Sequence, residues 1–439
     1  MSQSSSRREF IKQVGVGATA IGTGLSATRP ADARPHTFAT GRVRGANDRL
    51  NVGFVGCGGR MNSHIRHLVA RSKEKGDVMP VAVNDIWDKR KAAAQAATGV
   101  DAASVYHDYR ELCDRSDIDL VVISSPDHWH HAHALAALKA GKDVYLEKPM
   151  TYTVDEAKEI AEAVKASGRV LQVGSQYASM DHFWKARQAI ADGLIGQVMW
   201  ASGGFGRNRN KRGEWNYAID AEATEKTLDW KAFLGNAPKR PFTPERYFRW
   251  RKYWDYSGGI ATDLFYHTVS PLLVTIGSEF PHRVTAGGGI YAQHDREVPD
   301  TFFMNVDYPK WTMQLACSVG SGVGAPLVIH GSEGTIFVAR DSESLDNTEI
   351  EVVPDREYKD DFVKKAGSET VKIAVQPFAR GTHPHMDNFL ECVRSRKAPN
   401  LDAETGYRAM AAIGMGVSAY RRGEVLYFDP KRERVTETL

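Results

Sequence analysis

A run of apolar residues, Leu50 to Val55, leads directly into the turn Gly56-Cys57-Gly58-Gly59 and then into a stretch of helical character, Met61 to Ser72. No other feature constrains the fold of this chain as much. Glycines at alternate positions allow a sharp reversal with the backbone bare, so that an anion can approach the main chain. The helix that follows presents unpaired N–H groups to that anion. A second apolar run, Val78 to Asn84, ends on Asp85. Strand, glycine turn, helix, strand and acid in this order mark a dinucleotide-binding unit. Asp85 is placed to accept the ribose hydroxyls and to repel a 2′-phosphate, which favours NAD over NADP. There are two departures from the usual pattern. Met61 stands where a third glycine is common, and Asp85 comes late; Lys89 and Arg90 could serve a phosphate if the loop folds back.

The alternation continues. An Ala-rich helix over Asp88–Ala97 precedes a short strand, Asp119–Ser124, which breaks at Pro126 into a His-rich turn. A helix over His131–Ala140, a strand over Asp143–Leu146 and a strand over Val170–Val173 follow. Between the last two, Thr153 and Glu156 have capping-box spacing ahead of the apolar face Val154, Ala157, Ile160 and Val164. The pattern predicts an α/β, doubly wound parallel sheet over residues 49–174. Its cofactor contacts should come from Gly56, Gly58, Gly59, Arg60, Met61, Asp85, Ser125, Pro126, His128, His130, Glu147, Lys148 and Gln176. Pro149, after Lys148, is a candidate for a cis bond. His128, His130, His131 and His133 are too closely spaced to converge on one metal, so no metal site is assigned.

Lys148 sits at a strand end where a ligand crevice is expected, so its ammonium group can stabilise a substrate hydroxyl as it loses its proton. In the second half, Asp263 and His267 are four residues apart on a helix approached by Gly258-Gly259, hence on one face. A carboxylate beside an imidazole would orient it and raise its basicity, as a general base requires. Tyr247, Phe248, Trp250, Tyr253, Trp254 and Tyr256 are interleaved with Arg246, Arg249, Arg251 and Lys252. Such a stretch can stack on sugar rings and bind hydroxyls, or equally form a core or subunit interface. Tyr177, Arg249, Trp254, Asp263 and His267 are the candidate substrate contacts.

The N-terminus carries a different signal. Ser6-Arg7-Arg8-Glu9-Phe10-Ile11-Lys12, a weakly apolar stretch and Ala31-Asp32-Ala33 have the form of a cleavable twin-arginine leader over residues 1–33, followed by a linker over 34–48. Without the leader's four basic and two acidic residues, the whole-chain charge of +3 falls to +1. A nearly neutral protein has no electrostatic case for wholesale binding of nucleic acid, and no stretch is long enough to insert stably in a membrane. The four cysteines, including no C-x-x-C pair, suit buried thiols.

The glycine turn, Pro126-Asp127-His128-Trp129-His130, Glu147-Lys148-Pro149, Asp263 with His267, and Met386-Asp387-Asn388-Phe389 through Asp429-Pro430 together resemble the Gfo/Idh/MocA oxidoreductases. The resemblance spans nearly the whole mature chain. It implies Lys148, Asp263 and His267 as the catalytic set. It also implies a second α/β domain, residues 175–439, with a large, open, mostly antiparallel sheet that often mediates homo-oligomers. The leader is similar to that of the exported glucose–fructose oxidoreductase branch. An exported enzyme of this kind should carry its NAD bound and recycle it while acting on a sugar, polyol or glycoside hydroxyl. Two alternatives stand beside this. One is an NAD-dependent glycosidase that oxidises, eliminates, adds water and reduces; the other is a non-catalytic nucleotide- or sugar-binding protein.

Overall fold

The computed structural model describes residues 49–377 and 383–438. The leader and the linker lie outside the described residues. The first sheet is assembled from β1 (Leu50–Val55), β2 (Val78–Asn84), β3 (Val105–Tyr106), β4 (Leu120–Ile123), β5 (Asp143–Glu147) and β6 (Leu171–Gly174). Its order is β3-β2-β1-β4-β5-β6, and every pairing is parallel. Strands β1, β4 and β5 are buried at every position, as expected where helices cover both faces of a parallel sheet. The intervening helices are α1 (Gly59–Lys75), α2 (Asp88–Thr98), α3 (Tyr109–Cys113), α4 (Asp127–Lys139) and α5 (Val154–Ser167).

Element boundaries follow local chemistry. Helix α5 begins with the expected capping box, Thr153 accepting from the Glu156 amide while Glu156 accepts from the Thr153 amide. Lys148-Pro149 is cis. Helix α4 begins four residues earlier than the sequence suggests, at Asp127 directly after Pro126, so the His-rich stretch lies on the helix and not in a turn before it. The short β3 and α3 carry too little periodicity to be read from sequence.

The second sheet has ten strands among the described residues: β7 (Val198–Gly206), β8 (Arg283–Gly289), β9 (Thr301–Asp307), β10 (Thr312–Ser318), β11 (Leu327–Gly331), β12 (Gly334–Ala339), β13 (Glu349–Pro354), β14 (Val371–Ala374), β15 (Leu426–Asp429) and β16 (Arg434–Thr436). Their order is β14-β13-β12-β11-β7-β10-β9-β8-β15-β16, antiparallel except for β7 with β10. Strands β9, β10 and β13 alternate buried and less buried residues, the period of a sheet with one face covered. That cover comes from α6 (Asp181–Ala191), α9 (Tyr266–Ile276) and α12 (Ala403–Arg422). Helix α10 (Lys359–Ala366) lies between β13 and β14 in the chain, and α11 (His383–Ser395) packs beside β5 and β6 of the first sheet.

Between β7 and α9 the chain does not stay with its own sheet. Residues 207–256, with α7 (Trp230–Leu234) and α8 (Pro244–Phe248), return to the first sheet as a strap. Asp229 N donates to Ile86 O and Asp88 N to Thr227 O, at 3.1 Å each, and Lys89 bridges Asp220 and Glu222. Trp87, Leu228, Trp230, Phe233, Tyr247 and Tyr256 form a small apolar core under the strap.

Candidate active site

Sheet and strap enclose a cleft of about 1000 Å³ that runs from the carboxyl ends of β1, β2, β4 and β5 to the start of α9. Its nucleotide end is built by the glycine turn. Gly56 has φ of +80°, and a Cβ there would meet the Ser125 amide nitrogen at 2.8 Å, so only glycine lets the β1 and β4 turns close together. Helix α1 has no side-chain cap and no acidic residue in its first turn. Its first N–H groups therefore face the cleft without a partner, next to Gly59, where a Cβ would touch nothing within 4 Å. An uncapped helix N-terminus opening onto such a cleft fits a dinucleotide pyrophosphate. Asp85 is buried at the end of β2; its carboxylate accepts from the Cys57 amide (2.8 Å) and the Trp87 amide (2.9 Å), which locks the turn. Arg90 reaches over Trp87 and Tyr247 and donates to the Tyr247 hydroxyl at 2.7 Å, alongside Gly58.

At the other end, Lys148, Asp263 and His267 come together. Lys148 Nζ donates to the Asp263 backbone carbonyl and to Oδ1, both at 2.7 Å. Two of its three N–H donors are thus spent, and the third faces the cleft that Lys148 lines. Burial opposes ionisation of Asp263, but Lys148 and Arg251 outweigh it and hold the carboxyl well below its usual range. His267 also lines the cleft, with its ring 5.0 Å from that of Tyr177. Burial, and then Lys148, push its imidazole well below 6.5, while Asp263 works in the opposite sense. A neutral imidazole beside an ammonium group is a proton acceptor set against a positive donor, the arrangement needed to deprotonate a hydroxyl and stabilise the resulting oxygen.

The expected orientation of His267 by Asp263 does not occur. All of that carboxylate's side-chain partners are other donors: Lys148, Arg251 Nε (2.9 Å) and Trp215 Nε1 (3.0 Å). A π-turn over Ala261–Phe265 precedes α9, so the two residues do not sit in one regular α-helical face. His267 Nδ1 is buried without a hydrogen bond.

Of the residues assigned to the cofactor from sequence, Gly56, Gly58, Gly59, Arg60, Asp85, Ser125, Pro126, Glu147, Lys148 and Gln176 line the cleft. Arg60 donates to Glu147 at 2.7 Å and to Gln176 at 3.4 Å. Burial raises Glu147, but Arg60 and His64 more than reverse this and keep it ionised. Met61, His128 and His130 are corrections. The Met61 side chain is wholly buried in the core between α1 and the sheet. His128 Nε2 bonds the Phe233 carbonyl at 2.8 Å, tying α4 to the strap. His130 sits between the carbonyls of Pro149 (2.6 Å) and Ser125 (2.8 Å), fixing the backbone after Lys148. Trp129 and His133, one helical turn apart, line the cleft in their place, their rings stacked at 5.0 Å.

The substrate assignments fare similarly. Tyr177 lies beneath His267 in the core. Arg249 donates to the Tyr217 carbonyl and to Glu245, and Trp254 stands against Tyr420 and Arg421, both away from the cleft. In the 3-10 turn Trp250–Lys252 successive side chains point about 120° apart. Of the basic run, it is Arg251 that reaches Asp263, while Lys252 turns to Asp295. Tyr217, Trp250 and Arg251 line the cleft instead. Nothing in the sequence distinguishes Arg251 from its basic neighbours, or marks Trp215 as a partner of Asp263.

Comparison with known proteins accords with this geometry. Residues 50–175 match the family model for the oxidoreductase family with an NAD-binding Rossmann fold, and residues 233–427 match the model for that family's C-terminal alpha/beta domain. An inositol 2-dehydrogenase of Klebsiella pneumoniae is 32% identical over 176 residues, 40% of this chain and 50% of that protein. A glycosyl hydrolase family 109 protein of Shewanella pealeana is 30% identical over 172 residues, covering 36% of this chain and 37% of its own length. The chain thus spans about half or less of the length of these curated relatives. A levoglucosan dehydrogenase in complex with NADH shares the fold, with a TM-score of 0.64 at 18% identity over 86% of this chain and 98% of that structure. With both family models matched across most of its length, the chain belongs to the Gfo/Idh/MocA oxidoreductase family.

Proposed function

We propose that this protein is an exported NAD-dependent oxidoreductase that acts on a hydroxyl of a sugar, polyol or glycoside and keeps its cofactor through turnover. The observation that carries the reading is the spare N–H of Lys148 and the neutral ring of His267 in the cleft that the glycine turn also lines. NAD, when bound, supplies the hydride acceptor. His267 takes the hydroxyl proton, Lys148 stabilises the oxygen left behind, and Asp263 holds Lys148 in place. Tyr217 and Trp250 offer aromatic faces for a sugar ring. Asp85, a carboxylate at the end of β2, favours NAD over NADP. The strap over the adenosine end supports retention of the cofactor. Its apolar core packs on Trp87 and holds the strap against the first sheet.

The decisive experiment is to purify the protein, identify the released nucleotide by mass, and follow reduction of the bound nucleotide with a panel of sugars and polyols. A preparation that neither contains nor binds NAD ends this proposal. Export rests on the Arg7-Arg8 leader and is tested by whether Arg7→Lys with Arg8→Lys holds the protein in the cytoplasm. Self-association is proposed from the open face of the second sheet, where Trp200, Phe303 and Phe337 are exposed; light scattering reads it directly.

The match to a glycosyl hydrolase family 109 protein favours a second reading. In it, oxidation of the sugar hydroxyl acidifies the neighbouring C–H, an aglycone is eliminated, water adds and reduction completes the cycle. Release of aglycone from aryl glycosides without net change in bound NAD selects this reading over net oxidation.

A further inference from the structure

We infer that Trp215 is a positioning residue for Lys148, acting through Asp263: its indole N–H fixes the carboxylate that aims the ammonium group into the cleft. The inference rests on the hydroxyl-oxidation reading above. Three observations support it.

The first is backbone conformation. Trp215 has φ of +63°, in the left-handed region that bulky side chains rarely enter. Among the described residues the other non-glycine cases are Arg396 and Glu433, and neither is buried; Trp215 is 3% exposed. The second is the contact made in that conformation. Nε1 donates to Asp263 Oδ2 at 3.0 Å, while Oδ1 accepts from Lys148 and Arg251. Each carboxylate oxygen therefore has its own donor, and the plane of the group is set. The third is the support behind the ring. The Arg296 guanidinium lies 5.5 Å from the indole centroid and is itself held by Gln293, Asp295 and the Glu214 carbonyl. Asn216, the next residue, is tied to Asp295 at 3.0 Å and to Lys252. An indole that served only to fill the core would not need a left-handed backbone, and any buried acceptor would satisfy its N–H; here the acceptor is the carboxylate that holds Lys148. Strain retained by so many contacts at the edge of a reactive group is strain put to a use.

Without that N–H, Oδ2 loses its donor and the carboxylate is held through Oδ1 alone, so its plane, and with it the aim of Lys148, is less tightly fixed. Trp215→Phe keeps an aromatic ring against Arg296 and removes the donor. Measured on the protein as isolated, per mole of bound nucleotide, its kcat should fall about tenfold or more. Sugar KM and nucleotide content should stay close to wild type, while the unfolding midpoint falls because the smaller ring leaves a void and Oδ2 loses its donor. A role in packing alone predicts that same lower midpoint with unchanged kcat per bound nucleotide, and that result overturns the inference. A second readout needs no turnover. In protein carrying 15N-labelled tryptophan, an indole resonance should shift in Asp263→Asn, and W215F, where it folds, should remove that same resonance; an Asp263→Asn spectrum in which no indole resonance moves overturns the inference whether or not W215F folds. An active wild type with an equally active W215F defeats the role of Trp215 alone, whereas a wild type that oxidises no hydroxyl defeats the parent reading.

Discussion

Buried ionisable groups in this cleft are set by burial and by the charges beside them, and their behaviour with pH follows. Asp127, at the first turn of α4, is 3% exposed and accepts from the Thr262 hydroxyl at 3.1 Å. Burial pushes its carboxyl up to about 6 from 3.8, against the opposing pull of Arg251 and Lys148. A raised acid contributes stability below its unfolded value and loses it as pH climbs through the folded one. Between roughly pH 4 and 6 the unfolded chain binds fewer protons at this site than the folded one, so the contribution falls by on the order of 3 kcal/mol. Asp127→Asn does not titrate, so its stability relative to wild type should be more favourable at pH 7.5 than at pH 4.5 in denaturant unfolding. A gap that is constant with pH would refute the assignment. His267 stays neutral well below pH 6.5, so the acidic limb of kcat/KM should lie below that value. His267→Ala should cost about a hundredfold or more in kcat/KM with NAD still bound, the usual scale for a lost general base; unchanged turnover would remove His267 from the chemistry.

Two elements do work that their own length does not suggest. The strap, residues 207–256, has two short helices and little regular structure, yet it closes the nucleotide end of the cleft with Phe233 and Tyr247. Tyr247→Ala removes both the ring beneath Arg90 and the hydroxyl that Arg90 donates to. Nucleotide that stays with the wild type through desalting should be lost from this variant, as read from the absorbance of the released fraction. Equal retention would place the hold on NAD elsewhere. Helix α5 follows the cis peptide at Lys148-Pro149 and docks on α12, so its start sets the chain that leaves the active site. Thr153→Ala deletes one half of the capping box and should cost about 1 kcal/mol in chemical unfolding, with the nucleotide site intact.

For the molecule as a whole, the described residues form one compact unit, because α9 and α12 lie against the second sheet and also reach elements that follow the first. A ligand held between the first sheet, the strap and the start of α9 should therefore stabilise everything at once. If the cofactor is retained, the midpoint of the protein as isolated should not move with added NAD, while a stripped sample should melt lower and recover as NAD is restored. A midpoint that rises steadily with NAD in the untreated protein would mean free exchange. What the sequence determined is the set of features with a short-range cause. The parallel sheet follows from apolar runs broken at fixed places, the glycine turn from the residues it requires, and the α5 cap from Thr153 and Glu156. The amine and the imidazole were legible too, Lys148 from its place at a strand end and His267 from its spacing to Asp263, although the pairing that this spacing suggests does not form. Only the tertiary structure decided which donor meets which acceptor. Asp263 serves Lys148, Arg251 and Trp215 instead of His267, and His128 and His130 brace the backbone instead of touching the cleft. The physical reason is that these contacts join residues tens to more than a hundred positions apart. They depend on a π-turn, a 3-10 turn and a left-handed tryptophan, none of which leaves a periodic trace in the chain.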